Sequence, residues 1–437
     1  WGMNQQHVHN GYGTVGVLNT LFGKYGLTGN DVVLVKGGPE DEMNHLLEGL
    51  VKQDIARTTS VRRALIRRTS GIGRPTWIEV DAGAIANNVR LMKQMVGPNV
   101  TLMAVVKADG YGHGAALVAQ TALANGAEYL GVANVNEAID LRSAGVVAPI
   151  MILSYTPYDC VRLAIQHNLT LSLYDTELAQ AYDHAARDAG QRLKVHIKVD
   201  SGMGRLGLLP HEAMALFRQF RSLPYLEIEG IYTHFSTSDS DQGHVAEQLG
   251  KFRDVVRPLR AAGFDIKYVH AANSAATLTS PEHHFSMVRV GIAMYGQHPS
   301  SEVMLPHGFQ PAMTWKASVA QVRTLPKGHP IGYGNTYVTT KEERIAVLSV
   351  GYADGFRRQH NDGVVLIHGQ RAPILGRVSM EKTVVAVGHV PEVGIGDEAV
   401  LLGRQGDDYI GADELAERLG TISYEILTTA LARIPRR

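Results

Sequence analysis

The stretch Ala104-Val-Val-Lys-Ala-Asp-Gly-Tyr-Gly-His-Gly114 puts Lys107 where an apolar run stops and a glycine-rich loop begins. A lysine at the end of a buried strand has two common uses. It pairs with a carboxylate, or its amine forms a Schiff base with a carbonyl. The ion pair is the ordinary outcome, so the second use needs other groups to favour it. Asn273-Ser274-Ala-Ala-Thr reads as the N-cap and first turn of a short helix. The free N–H groups and dipole of such a turn suit a phosphate. Arg289-Val-Gly291-Ile292 adds a glycine N–H and a cation from a neighbouring run.

These groups lie far apart in the chain, so a fold must gather them. Residues 77–300 alternate apolar runs with amphipathic spacers, and eight runs can be read: TLMAVVKA, YLGVAN, IMILSY, TLSLY, KVHIKVD, EIEGIYTHF, YVHAANS and MVRVGIAMYG. Eight β runs with helical spacers predict an α/β fold, a (β/α)8 TIM-type barrel. A doubly wound open sheet is the alternative. Lys107, Asp200, His234, Asn273, Ser274 and Arg289 fall at or near the C-terminal ends of runs, the face where a closed barrel keeps its site. A lysine and a phosphate cradle on one face suggest pyridoxal 5′-phosphate.

From about residue 310 the texture changes to β runs separated by Gly, Pro and Asp, with a helix near 412–419. The expected organisation is a barrel over 77–305 and a mostly β C-terminal domain over 306–437. Before them come an N-terminal βα extension over 1–56 and an arginine-rich linker over 57–76. Lys plus Arg equals Asp plus Glu at 42 each, so no charge excess favours nucleic acid or an anionic membrane. The single cysteine, Cys160, excludes an internal disulfide and suggests a reducing compartment. No apolar run reaches a spanning length. A cytoplasmic protein is expected. No histidine spacing suggests a metal.

From about residue 76 to its end the chain resembles alanine racemase, a fold-type III pyridoxal-phosphate enzyme family. AVVKADGYGHG, KVDSGMGRLG, THFSTSD, HAANSAA, VRVGIAMYG, IGYGNTY, VGYADGFRR and GRVSME match its motifs in order. The resemblance implies racemisation of alanine by two bases, supplying D-alanine for peptidoglycan. Lys107 would hold the cofactor and act as one base, with Tyr333 as the second. The family shares each site between two subunits, so Tyr333 and Met380 would come from the partner of a homodimer. Tyr111, Ser274, Gly291 and the adjoining Asn273 and Ile292 would hold the phosphate. Arg289 would meet the pyridine nitrogen, and Arg205 the cofactor oxygen and the substrate carboxylate. His234 would tie Tyr333 to Arg289. Lys198 matches a lysine that some members carry as a carbamate. Glu381 stands where aspartate is usual, and Ala432 where some members place a tyrosine over the cofactor and substrate.

The family likeness leaves other activities to weigh. A serine or broad-specificity racemase is one; a fold-type III decarboxylase is another, although decarboxylases pair the ring nitrogen with an acid. A non-catalytic carrier of the cofactor would need no β domain. Residues 31–50 (DVVLVKGGPEDEMNHLLEGL) faintly resemble the closing strand and helix of the Mur ligase that adds D-alanyl-D-alanine.

Overall fold

The computed structural model describes residues 74–358 and 363–437. The expected extension and nearly all of the linker lie outside the described residues. Strands β2 (Thr101–Val105), β3 (Tyr129–Val132), β4 (Ile150–Ile152), β5 (Leu169–Leu173), β6 (Leu193–Lys198), β7 (Leu226–Tyr232), β8 (Tyr268–His270) and β9 (Met287–Val290) close into a parallel barrel. Each comes from one of the eight apolar runs. β2 closes on β9 with Ala104 opposite Val290, so the ends that carry Lys107 and Gly291 become neighbours.

The helices between the strands start where a carboxylate or amide can cap them. Asp81, Asn134, Asp175 and Asp241 each accept a hydrogen bond from the N–H three residues on. Each such cap stabilises its helix by about 1 kcal/mol. In the helix Ala82–Val96, Ile85, Val89, Met92 and Val96 form the buried stripe against the barrel. Inside the barrel, Met103, Tyr129, Met151, Tyr232 and Met287 pack as a floor. Beside them lie buried polar side chains, among them Thr170, Ser172, His196, Glu229, His270 and Arg289.

The second layer is antiparallel. Strands β10 (Met313–Leu325), β13 (Glu343–Leu348), β14 (Val364–Ile367), β15 (Gln370–Pro373), β16 (Thr383–Ala386) and β17 (Glu398–Gln405) run in the order β15-β14-β17-β10-β13-β16. β18 (Asp408–Ile410) pairs with β17, and a small hairpin joins β11 (Pro330–Ile331) to β12 (Tyr337–Val338). The helix Ala412–Leu419 sits where the sequence placed it.

One boundary moves. The expected barrel opens at residue 77, but β1 (Thr76–Val80) pairs antiparallel with β10 across the register Thr76–Ala317 to Val80–Met313. Ile78 also donates its N–H to Pro435 O at 2.9 Å. The strand is bound on both sides by the C-terminal part of the chain, so it belongs to that sheet. Among the described residues, no helix is long and apolar enough to cross a membrane.

Candidate active site

A cleft of about 410 Å³ opens at the C-terminal ends of the barrel strands. It is lined by Lys107, Tyr111, Arg205, His234, Asn273, Ser274, Arg289, Gly291 and Ile292, all nominated by the sequence, whereas Asp200, also placed at a strand end, lies outside the lining. Lys198, Tyr232, Leu153 and Tyr424 also contribute to its wall.

Lys107 enters the cleft through an unusual backbone. Ala108, Asp109, Gly110 and Tyr111 all have φ between 53° and 61°, a left-handed turn. For residues other than glycine this costs roughly 1–2 kcal/mol each. Local bonds offset the cost: Ala108 N–H donates to Glu137 Oε1 at 2.8 Å, and Asp109 Oδ1 accepts from Ala115 N–H at 2.9 Å. The Lys107 side chain lines the cleft and is reached by solvent through its mouth, with protein packed around its stem. Burial lowers its pKa, the nearby Arg205 and Arg289 cations lower it further, and Glu137 opposes them. The free amine is therefore more accessible than in an ordinary lysine.

An anion cradle lies opposite. Ser274 Oγ accepts from Gly291 N–H at 3.0 Å, and Asn273 Oδ1 caps the following turn at Ala276 N–H. Tyr111 stacks on Tyr295 with ring centres 4.8 Å apart and is pushed up to about 12 by burial, so its hydroxyl stays a neutral donor. A Cβ at Gly291 would sit 2.6 Å from Tyr111 Oη, so this approach demands glycine.

Arg289 is buried at the centre. Its Nη1 donates to His270 Nδ1 at 2.9 Å, and Nη2 faces Thr233 O, Ala271 O and His234 Nδ1. Burial lowers Arg289 to about 10, so it remains a cation near neutral pH. Burial and the same cations hold His234 well below the ordinary histidine range, so the ring is neutral. Lys198 is lowered to about 8, first by burial and then by Arg289 and Arg205. Burial would raise Asp200, but the N–H groups of Gly202, Gly204, Arg205 and Met203 more than offset this, and its pKa is lowered. That clamp shapes the loop carrying Arg205.

Two nominated residues stand apart. Tyr333 is 66% exposed and Met380 55% exposed, and neither lines the cleft. Both lie in the C-terminal domain, with Tyr352, at 40%, also exposed there. Glu381 is held by Arg433, which also reaches the buried Asp354. The Met380 loop is pinned by Ala353 N–H on Met380 O at 3.0 Å.

Ala432 is exposed, away from the cleft, whereas Tyr424 lines it with its ring centre 6.3 Å from that of Tyr111. Tyr424 rides on the short helix Ser423–Thr428, and SYEIL between two apolar segments was the signal that could have found it.

Residues 80–299 match the family profile described as "Alanine racemase, N-terminal domain", and residues 312–437 match "Alanine racemase, C-terminal domain". An alanine racemase of Desulfosudis oleivorans is 45% identical over 376 residues, covering 82% of this chain and 95% of its own. One of Carboxydothermus hydrogenoformans is 46% identical over 367 residues, covering 83% and 99%. The crystal structure of alanine racemase from Bacillus anthracis with bound L-Ala-P has a TM-score of 0.80 and 41% identity, covering 84% of this chain and 95% of its own. A histidine racemase from Leuconostoc mesenteroides gives 0.78 at 28% identity, covering 84% and 99%.

Proposed function

The chain belongs to the alanine racemase family and is an isomerase interconverting L-alanine and D-alanine; from that premise we propose that it works with pyridoxal 5′-phosphate, two opposed bases and a site completed by a second copy of the chain. The residues present fit the cofactor. A primary amine of lowered pKa shares one cleft with an anion cradle built from Tyr111, Ser274 and Gly291 and with the Arg289 cation. When bound, the cofactor supplies an electron sink for charge developing at the substrate α-carbon.

Racemisation needs a proton removed on one face and returned on the other. Lys107 holds or accepts the proton on one face, with Arg205 and Arg289 favouring its neutral form. Tyr333 serves the other face. Its high exposure in one chain, with Tyr352 and Met380 exposed in the same domain, supports contribution to a partner's cleft. Arg205 takes the substrate carboxylate. Arg289 would face the pyridine nitrogen as a donor that does not readily yield its proton, and would so favour a neutral ring and a shallow electron sink. That disfavours the side reactions an acidic partner would permit, and it argues against a decarboxylase. Tyr424 narrows the cleft over Tyr111 and favours a small side chain, so alanine ranks above serine. The D-alanine formed would serve peptidoglycan.

The observation that carries this reading is the convergence of Lys107, the anion cradle and Arg289 in one cleft. Circular dichroism of L-alanine incubated with the purified protein tests it. Loss of optical activity, and a borohydride-sensitive visible absorption lost together with turnover in Lys107→Ala, are expected. A colourless Lys107→Ala protein with full turnover would overturn it.

A further inference from the structure

Below the cleft, a line of buried polar side chains runs through the barrel from Arg289 to the opposite end. Arg289 Nη1 meets His270 Nδ1 at 2.9 Å, His270 Nε2 meets His196 Nδ1 at 2.8 Å, and His196 Nε2 meets Glu229 Oε2 at 3.2 Å. His196 and His270 are 0% exposed, and Glu229 is 8% exposed. No water-exposed step interrupts the line.

The chemistry of its ends fixes its direction. A guanidinium has donors only, so His270 Nδ1 must accept. A neutral His270 then carries its proton on Nε2 and donates to His196 Nδ1. His196 must in turn carry its proton on Nε2, and that donor needs an acceptor, which Glu229 supplies. A proton on His270 Nδ1 would face the Arg289 N–H, and a proton on His196 Nδ1 would face the His270 N–H. Both rings are thus neutral Nε2–H tautomers. Burial lowers both histidine pKa values, and the His196 bond helps hold Glu229 below the usual carboxylate range against its own burial.

The backbone is built for this arrangement. The β6–β7 register jumps from Val195–Ile228 to His196–Gly230, which makes Glu229 the extra residue of a bulge. Strict alternation would turn the residue between Ile228 and Gly230 outward. The bulge re-aims it inward, where Tyr129 Oη also reaches it at 2.9 Å. A Cβ at Gly230 would lie 2.7 Å from His196 Nδ1, so glycine makes room for the ring.

We propose that Glu229, through His196 and His270, is a positioning residue that terminates a one-way hydrogen-bond chain and thereby fixes how Arg289 presents its guanidinium to the cleft. Two Arg289 donors are then committed away from the ligand, Nη1 to His270 and Nη2 to Thr233 O, Ala271 O and His234, while no described residue takes Nε–H. The inference rests on the role given above to Arg289, but its direction of bonds can be read without it.

Neutron diffraction of the perdeuterated protein tests the direction itself. Deuterium on Nε2, and none on Nδ1, is expected for both His196 and His270. A deuteron on either Nδ1 would overturn the proposal, whether or not the protein racemises alanine. Kinetics test the consequence. Glu229→Leu removes the terminal acceptor and should lower kcat on the order of tenfold, as loss of one hydrogen bond to a charged group does. KM should stay within about twofold, since the substrate contacts are untouched. Glu229→Gln keeps an acceptor and should hold kcat within about threefold of the parent. Equal losses in both variants, or no loss in Glu229→Leu, would refute the role of the acceptor. Should Glu229→Leu fail to fold, the neutron map and the Gln variant still decide.

Discussion

Gly291→Ala probes the cofactor end of the cleft through a single added methyl. Gly291 has φ −117°, so alanine is not forced into a left-handed conformation, and the cost is steric. The new Cβ would lie 2.6 Å from Tyr111 Oη and 3.1 Å from Cζ. Tyr111 cannot give way freely, because its ring packs on Tyr295 at 4.8 Å. The hydroxyl must swing off its position. If that hydroxyl is a phosphate donor, one charge-assisted hydrogen bond is lost, about 1.5–3 kcal/mol. Cofactor affinity should then fall roughly 10- to 150-fold. Absorbance titration of cofactor into stripped protein measures this, with a melting curve as the check on folding.

The same geometry predicts non-additivity. In a Tyr111→Phe background the 2.6 Å contact is gone and 3.1 Å is the tightest left to that ring. Gly291→Ala should then cost less than half as much free energy as it does in the parent, because both changes act on one hydroxyl. Strictly additive losses, or unaltered affinity in Gly291→Ala alone, would refute the account of this cradle.

Other expectations follow from the cleft. Mixing inactive Lys107→Ala with inactive Tyr333→Phe should restore part of the turnover through hybrid dimers holding one intact site; no recovery despite demonstrated subunit exchange would put both bases in one chain. Tyr424→Ala should raise the ratio of serine to alanine kcat/KM roughly tenfold, the scale of one small group in a substrate pocket; an unchanged ratio in the dichroism assay would place Tyr424 away from the substrate side chain. Lys198, lowered from 10.5 to about 8, sheds its proton earlier in the folded chain than in the unfolded one. Stability in CO2-free buffer should therefore rise with pH between those values by about 3 kcal/mol, and Lys198→Met should flatten the rise in urea midpoints.

The barrel was legible because each strand is a short apolar run closed by a polar residue, and closure brings those residues to one face. Periodicity and strand ends alone placed Lys107, His234, Ser274 and Arg289 together. What stayed hidden depended on partners distant in sequence. Thr76 bonds to Lys316 O, 240 residues away, and nothing local in TWIEV distinguishes a barrel strand from an edge of the second sheet. The turn after Lys107 holds alanine and aspartate at positive φ, where propensity expects glycine, because Glu137 and Ala115 hold it there.

Tyr424 and Glu229 were missed for related reasons. A six-residue helix has too few turns to display a face, so Ser423–Thr428 carried no period to read. Its position follows from the route of the tail, where Arg436 Nε bonds to Gly112 O at 3.0 Å beside the Lys107 loop. Glu229 was hidden by the rule that made the barrel readable, since alternation along EIEGIY turns it outward until the bulge turns it back. Strand patterning therefore identifies groups at strand ends, where topology alone gathers them. Groups that support them from below depend on a local departure from the pattern, such as the Glu-Gly pair at 229–230 beside the buried His196 ring.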